Sequence, residues 1–77
     1  MKDFIMVFNN THEAMEGERI LKENGISFII MPTPTYITKS CGISAAFNKD
    51  QLEKIETLEI KFKNIYSITN KGFEIYK

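Results

Sequence analysis

The chain has 77 residues and a mass of 8.9 kDa, which leaves room for one domain (residues 1–77) and no second core. Hydrophobic residues at 43% and charged residues at 26% exclude the disordered and fibrous classes. Ten basic and ten acidic residues cancel, which argues against nucleic acid as the partner, because backbone binding draws on clustered positive charge. Apolar runs such as Phe28 to Met31 fall far short of the roughly 20 residues that a membrane span needs. Met1-Lys2-Asp3 leads straight into a strand-like segment with no secretion leader, so the expectation is a soluble cytoplasmic protein with no membrane partner.

In chain order, Phe4 to Phe8 (FIMVF) is continuously apolar and bounded by polar residues, the pattern of a central strand covered on both faces. Asn9-Asn10-Thr11 supplies a helix start. Asn10 and Glu13 have the capping-box spacing, with Thr11 as the competing N-cap. Ala14, Gly17, Ile20 and Leu21, with Met15 at the margin, form one apolar stripe and leave Glu13, Glu16, Arg19 and Lys22 outside. Asn24-Gly25 ends the helix by allowing a left-handed residue. Ile26 to Met31 reads as a second strand stopped by Pro32. Pro32 and Pro34, interleaved with Thr33 and Thr35, enforce extended backbone and withhold amide donors, so a loop runs from there to Cys41-Gly42.

Ile43 to Phe47 is a short third strand. Asn48 and Gln51 repeat the capping-box spacing and open a second helix, with Leu52, Ile55, Leu58 and Phe62 on one side. Ile65 to Thr69 is a fourth strand, Asn70-Lys71-Gly72 turns the chain, and Phe73 to Tyr76 alternates as a terminal strand. The order β-α-β-β-α-β with a β tail predicts a ferredoxin-like α+β sandwich: an antiparallel sheet, two helices on one face, and a short C-terminal strand. Two helices cover one face only, and FIMVF is apolar on both. The other face is therefore expected to be open or buried in a homodimer.

Cys41 is the only cysteine, so no intrachain disulfide forms. With His12 as the only other soft ligand, no structural zinc site of about four ligands is available, and no cofactor is implied. Cys41 is left as a packing residue, a reactive thiol or a point of intermolecular pairing. Topology bears on the choice. In a βαβ unit the first two strands are parallel, so their C-terminal ends share one edge of the sheet. The opening of the first helix (Asn10, Thr11, His12), the Pro32–Ser40 loop and Cys41-Gly42 should gather there. A helix N-terminus favours anions, and a thiol facing one, or near Lys39 or His12, has its pKa drawn from ~8.5 toward neutrality. No paired-carboxylate site, phosphate-cradling glycine loop or serine triad is present, so the chain does not read as an enzyme.

The stretch IIMPTPTYITKSCGISAAF, with FNNTHEAMEGERILKENGI before it, resembles the selenium/sulfur (Se/S) carrier-like family of small bacterial domains. The matching residues include Phe8, Thr11, His12, Ala14, Glu18, Leu21, Gly25, Ile26, Pro32, Pro34, Ile37, Ser40, Cys41 and Gly42, within roughly residues 4 to 69. Many members have an arginine after the second proline, where this chain has Thr35. Lys39 replaces it only in part, lacking the guanidinium fork. The resemblance implies a carrier thiol at Cys41 that receives sulfur or selenium from a donor protein such as a cysteine desulfurase. Thr11, His12, Pro32, Pro34, Lys39, Ser40 and Gly42 would surround it. The competing reading is a non-catalytic binding or regulatory module that uses the Pro32–Ser40 loop or the open sheet face with Tyr66 and Tyr76. An exposed sulfur on the rim favours the first; a buried sulfur beside an apolar dimer face favours the second.

Overall fold

A computed structural model describes residues 2–77. It contains β1 (Phe4–Val7), α1 (Thr11–Glu23), β2 (Ile29–Pro32), β3 (Ile43–Phe47), α2 (Leu52–Glu56), β4 (Asn64–Thr69) and β5 (Gly72–Ile75), with a 3-10 turn over Lys49–Gln51 leading into α2. The five strands form one sheet in the order β2-β3-β1-β4-β5, and every neighbouring pair is antiparallel. The fold is a small α+β arrangement of two helices and this sheet. Since β1 and β2 both run antiparallel to β3, they are parallel to each other, with α1 as their crossover.

The start of α1 follows from its sequence. Asn10 is extended (φ −159°), and its Oδ1 accepts the Glu13 amide at 2.8 Å. The reciprocal arm of the cap reaches one residue further out than the capping box predicts: Glu13 Oε1 accepts both the backbone and side-chain nitrogens of Asn9. On the exposed face Arg19 bridges Glu16 and Glu23, and Lys22 pairs with Glu18. Met15 belongs to that face and is exposed, outside the apolar stripe. At the other end the Ile26 amide donates to Leu21 O and the Gly25 amide to Lys22 O, with Gly25 at φ +68°: a Schellman ending. Ile26 is thereby committed to closing the helix and packing beside Leu21, which is why β2 begins at Ile29 and not at Ile26.

Two other boundaries depart from the sequence expectation. Pro32 lies inside β2. The Thr33 amide donates to Gly42 O, so by ladder alternation the Pro32 nitrogen points away from β3, to the open edge where a missing donor costs nothing. The second helix is shorter than its apolar spacing suggests. The Asn48 side chain makes no cap, and Gln51 Oε1 accepts the Ser27 amide at 3.1 Å, joining the two connections instead of closing a capping box. Leu58 and Phe62 still pack against the core, but from irregular chain beyond α2.

Met6 and Phe8 of the first strand segment, Ala45 and Phe47 of β3 and Ile65 of β4 form one core cluster with Ala14 and Leu21 of α1 and Ile55 of α2. Phe4 stacks on Phe47 with ring centroids 5.6 Å apart. The opposite sheet face is not open at its centre. Ile5, Val7, Ser44 and Ala46 point there by strand alternation, and all are fully buried. Their cover is the chain between β2 and β3. Thr33 is hydrogen-bonded to Ser44 on this face, and the Tyr36 ring lies 6.1 Å from that of Phe73 on β5, so the segment spans the intervening strands. The burial for which a second copy was invoked is supplied at the centre of the sheet by the protein's own loop.

Candidate functional site

The register fixes one rim of the molecule. Val7 and Met31 both lie opposite Ser44, so the ends of β1 and β2 and the start of β3 share an edge of the sheet. The opening of α1, the 33–40 segment and Cys41-Gly42 leave the sheet from that edge, as the topology argument requires. Cys41 precedes β3 and lies outside its ladder. Its neighbours Lys39, Ser40 and Gly42 are exposed, and so are Thr11, His12, Pro32 and Thr35; Pro34 is half-buried.

The sulfur itself is buried. Cys41 is 2% exposed and belongs to the core cluster that includes Phe8 and Ala14. Its Sγ donates to Ile43 O at 3.3 Å, an oxygen that can accept from a thiol and offers no donor to a thiolate. The rim therefore collects the expected segments while the sulfur points inward. This corrects the expectation of a thiol presented to an electropositive lip.

Nor does His12 converge on Cys41. It lines a separate pocket of about 230 Å³ with Glu13, Glu16, Gly17, Ile20, Glu59 and Lys61, between α1 and the chain entering β4. Glu13 is held below the usual carboxylate range chiefly by the Asn9 amide, with Lys61 and His12 adding smaller attractions. Glu16 is lowered mainly by its hydrogen bond from Arg19. Among the described residues no group of three or more His, Cys, Asp or Glu side chains is placed to hold a metal ion, and no helix is long and apolar enough to cross a membrane.

The 33–42 segment carries structure that the sequence reading treats only as stiff loop. Pro34 O accepts the amides of Ile37 and Thr38, at 3.0 and 3.4 Å, closing a turn with Tyr36 at its tip. Thr38 Oγ1 accepts the Ser40 amide on the returning limb. Thr33 and Thr38 are both buried. A signal for this arm is present in the sequence: Ser44 sits within the apolar run ISAAF, and a buried hydroxyl needs a partner.

A family model described as "Putative Se/S carrier protein-like" matches residues 3–67 of the chain. The chain belongs to this Se/S carrier-like family. The match takes in β1, α1, β2, the whole 33–42 arm, Cys41, β3, α2 and most of β4, so the rim and its thiol lie inside it. No curated protein and no solved structure matches the chain. In this member of the family the thiol stands at the rim by chain position and in the core by side-chain direction.

Proposed function

We propose that this protein is a small carrier of sulfur or selenium, with Cys41 as the atom-bearing residue and a protein of cysteine desulfurase type as donor. The observation that carries the reading is the Se/S carrier-like family match across the segment that holds the chain's only thiol. In the loading step the Cys41 thiolate attacks the outer sulfur of a donor persulfide. The Cys41 sulfur–sulfur bond forms as the donor's sulfur–sulfur bond breaks. The donor leaves as a thiolate and takes up the proton that Cys41 released, so no outside oxidant is required. Selenium follows the same course through a selenopersulfide. Delivery repeats the exchange with an acceptor thiol, and the protein contributes no turnover chemistry.

Lys39 and Ser40, exposed next to Cys41 in the chain, are the polar groups available to a loaded anion. Pro32 and Pro34 stiffen the limb that presents it. Thr11, His12 and Gly42 remain on the same rim as contacts for the donor. A lone reduced thiol in this role fits a cytoplasmic setting. In the reading proposed here the β2-β3-β1-β4 order is that of a ferredoxin-like sandwich with β5 added at its margin. A homodimer would join through the exposed margins, where Ile29, Ile30 and Ile75 lie bare.

Intact-mass measurement after incubation with a persulfide-loaded desulfurase tests the carrier role. The wild type gains one sulfur atom and Cys41→Ser gains none. A wild type that stays at its starting mass, or a Cys41→Ser protein that still gains sulfur, overturns the role.

The burial of Cys41 favours a second reading, a non-catalytic binding module in which the cysteine only packs. Contact would then run through the Pro32–Ser40 loop, where Tyr36 is 76% exposed, or through the sheet. There half-buried Tyr66 on β4 and exposed Tyr76 after β5 lie on opposite faces and share no single open surface. Under that reading Cys41→Ala preserves the fold and every partner interaction, and the wild type accepts no sulfur.

A further inference from the structure

The arm from Thr33 to Gly42 is attached to the sheet at two separate places. Near its root the Thr33 and Ser44 hydroxyls share a hydrogen bond in a buried setting, beside the Thr33 amide bond to Gly42 O. At its tip Tyr36 meets Phe73 on the far edge strand. Between these points the arm's hydrogen bonds are mostly internal: Ile37 and Thr38 amides to Pro34 O, and the Ser40 amide to Thr38 Oγ1. Such a segment can leave the sheet without breaking its own turn, and none of the β1, β3 or β4 pairings depends on it. Local opening of this kind costs less than global unfolding wherever a segment contributes few ladder bonds.

From these attachments we infer that residues 33–42 form a detachable arm, latched by Thr33–Ser44 and Tyr36–Phe73, and that release of this arm sets the rate at which Cys41 meets a reactant. The arm ends at Gly42, whose carbonyl is pinned by Thr33, and Cys41 immediately precedes it outside the β3 ladder. Freeing Gly42 lets the Cys41 backbone turn and carry its sulfur off Ile43 O while the strands stay paired. The arm's purpose rests on the carrier reading, as the gate between a protected and a loadable thiol. Its existence does not.

The test is the rate of Cys41 modification by a disulfide reagent such as DTNB, measured across low urea concentrations below the unfolding transition. Arm release uncovers the patch over Ile5, Val7, Ser44 and Ala46 while the helix-facing core stays packed. Below the global transition the rate therefore rises with urea more shallowly than global unfolding does, then climbs with it. Tyr36→Ala removes a ring that is itself exposed and raises the rate in this shallow region by about two- to tenfold. Ser44→Ala strands the Thr33 hydroxyl in the closed state and raises it by about fivefold or more. A rate that follows global unfolding at every urea concentration, with neither variant changing it beyond its effect on overall stability, overturns the arm. The two proposals fail separately. Fast, latch-dependent labelling without sulfur uptake from the desulfurase removes the carrier and keeps the arm. Sulfur uptake with latch-independent labelling does the reverse.

Discussion

The backbone of α1 rests directly on the Phe8 ring at Gly17: a Cβ placed on Gly17 would lie 2.6 Å from Phe8 Cε1 and 2.8 Å from Cζ. No rotation of a methyl group relieves such a contact, because Phe8 is itself fully packed in the core. Alanine is the better helix former by ~1 kcal/mol, yet overpacking a filled core costs about 1–3 kcal/mol, so the steric term wins. Gly17→Ala should therefore lower the urea midpoint without altering the m-value. Combining it with Phe8→Leu should recover part of the loss relative to the sum of the two single changes. A Gly17→Ala protein as stable as the wild type would show that the helix does not approach the ring this closely.

The cap at the start of α1 makes a second, independent prediction. Asn10 Oδ1 is the acceptor for the Glu13 amide, and Asn10→Ala leaves that first-turn donor to water. The expected loss is about 1 kcal/mol, whereas Asn10→Asp keeps the acceptor and adds a charge favoured by the helix dipole. Thermal unfolding at neutral pH should rank wild type and Asn10→Asp together, above Asn10→Ala. Equal midpoints for all three would remove the cap from the stability of α1.

The elements that could be read from sequence are those in which local chemistry and tertiary packing agree. β1, β3 and α1 lie where apolar patterning and the Asn10 cap put them. The gathering of the α1 opening, the proline loop and Cys41-Gly42 at one rim follows from strand direction alone. Side-chain burial did not follow. Cys41 keeps the same alternation as Ile43, Ala45 and Phe47, and that alternation turns its sulfur toward the helices. Gln51 has the spacing of a cap partner but is drawn to Ser27, 24 residues away, a contact no local pattern encodes. The fully apolar β1 suggested a second chain as cover, because composition does not show that a ten-residue loop can fold back over a sheet. Only the lone serine in ISAAF hinted at it.

Glu13 gives the protein an acid-sensitive contact at that same helix opening. Its carboxylate accepts from the Asn9 amide and side chain, which lowers its pKa from the usual 4.5. A group with a depressed folded-state pKa adds stability above its unfolded value, and that stability is lost as pH falls through the folded value. Between pH 7 and the region just above 4.5 the contribution is constant. Glu13→Gln should thus be less stable than the wild type at pH 7, with the gap narrowing as pH drops below about 4.5. Chemical denaturation at a series of acidic pH values checks this, and a gap that widens toward low pH contradicts it.

At the opposite end of the pH scale the C-terminal strand supplies the corresponding test. Tyr76 lies edge-on to Phe4 with ring centroids 5.3 Å apart, and its hydroxyl donates to Glu56 Oε2 at 3.2 Å. Burial first, and the neighbouring carboxylate second, push the phenol above its ordinary value of 10.0, since both disfavour a phenolate there. A raised folded-state pKa contributes stability that is fully present below the unfolded value and is lost as pH rises through the folded one. Tyr76→Phe keeps the ring on Phe4 but removes both the hydroxyl and its titration. Its stability should therefore fall less steeply than that of the wild type above about pH 10, although it loses the Glu56 hydrogen bond at neutral pH. Identical alkaline slopes in the two proteins would mean that β5 does not hold the Tyr76 hydroxyl against α2.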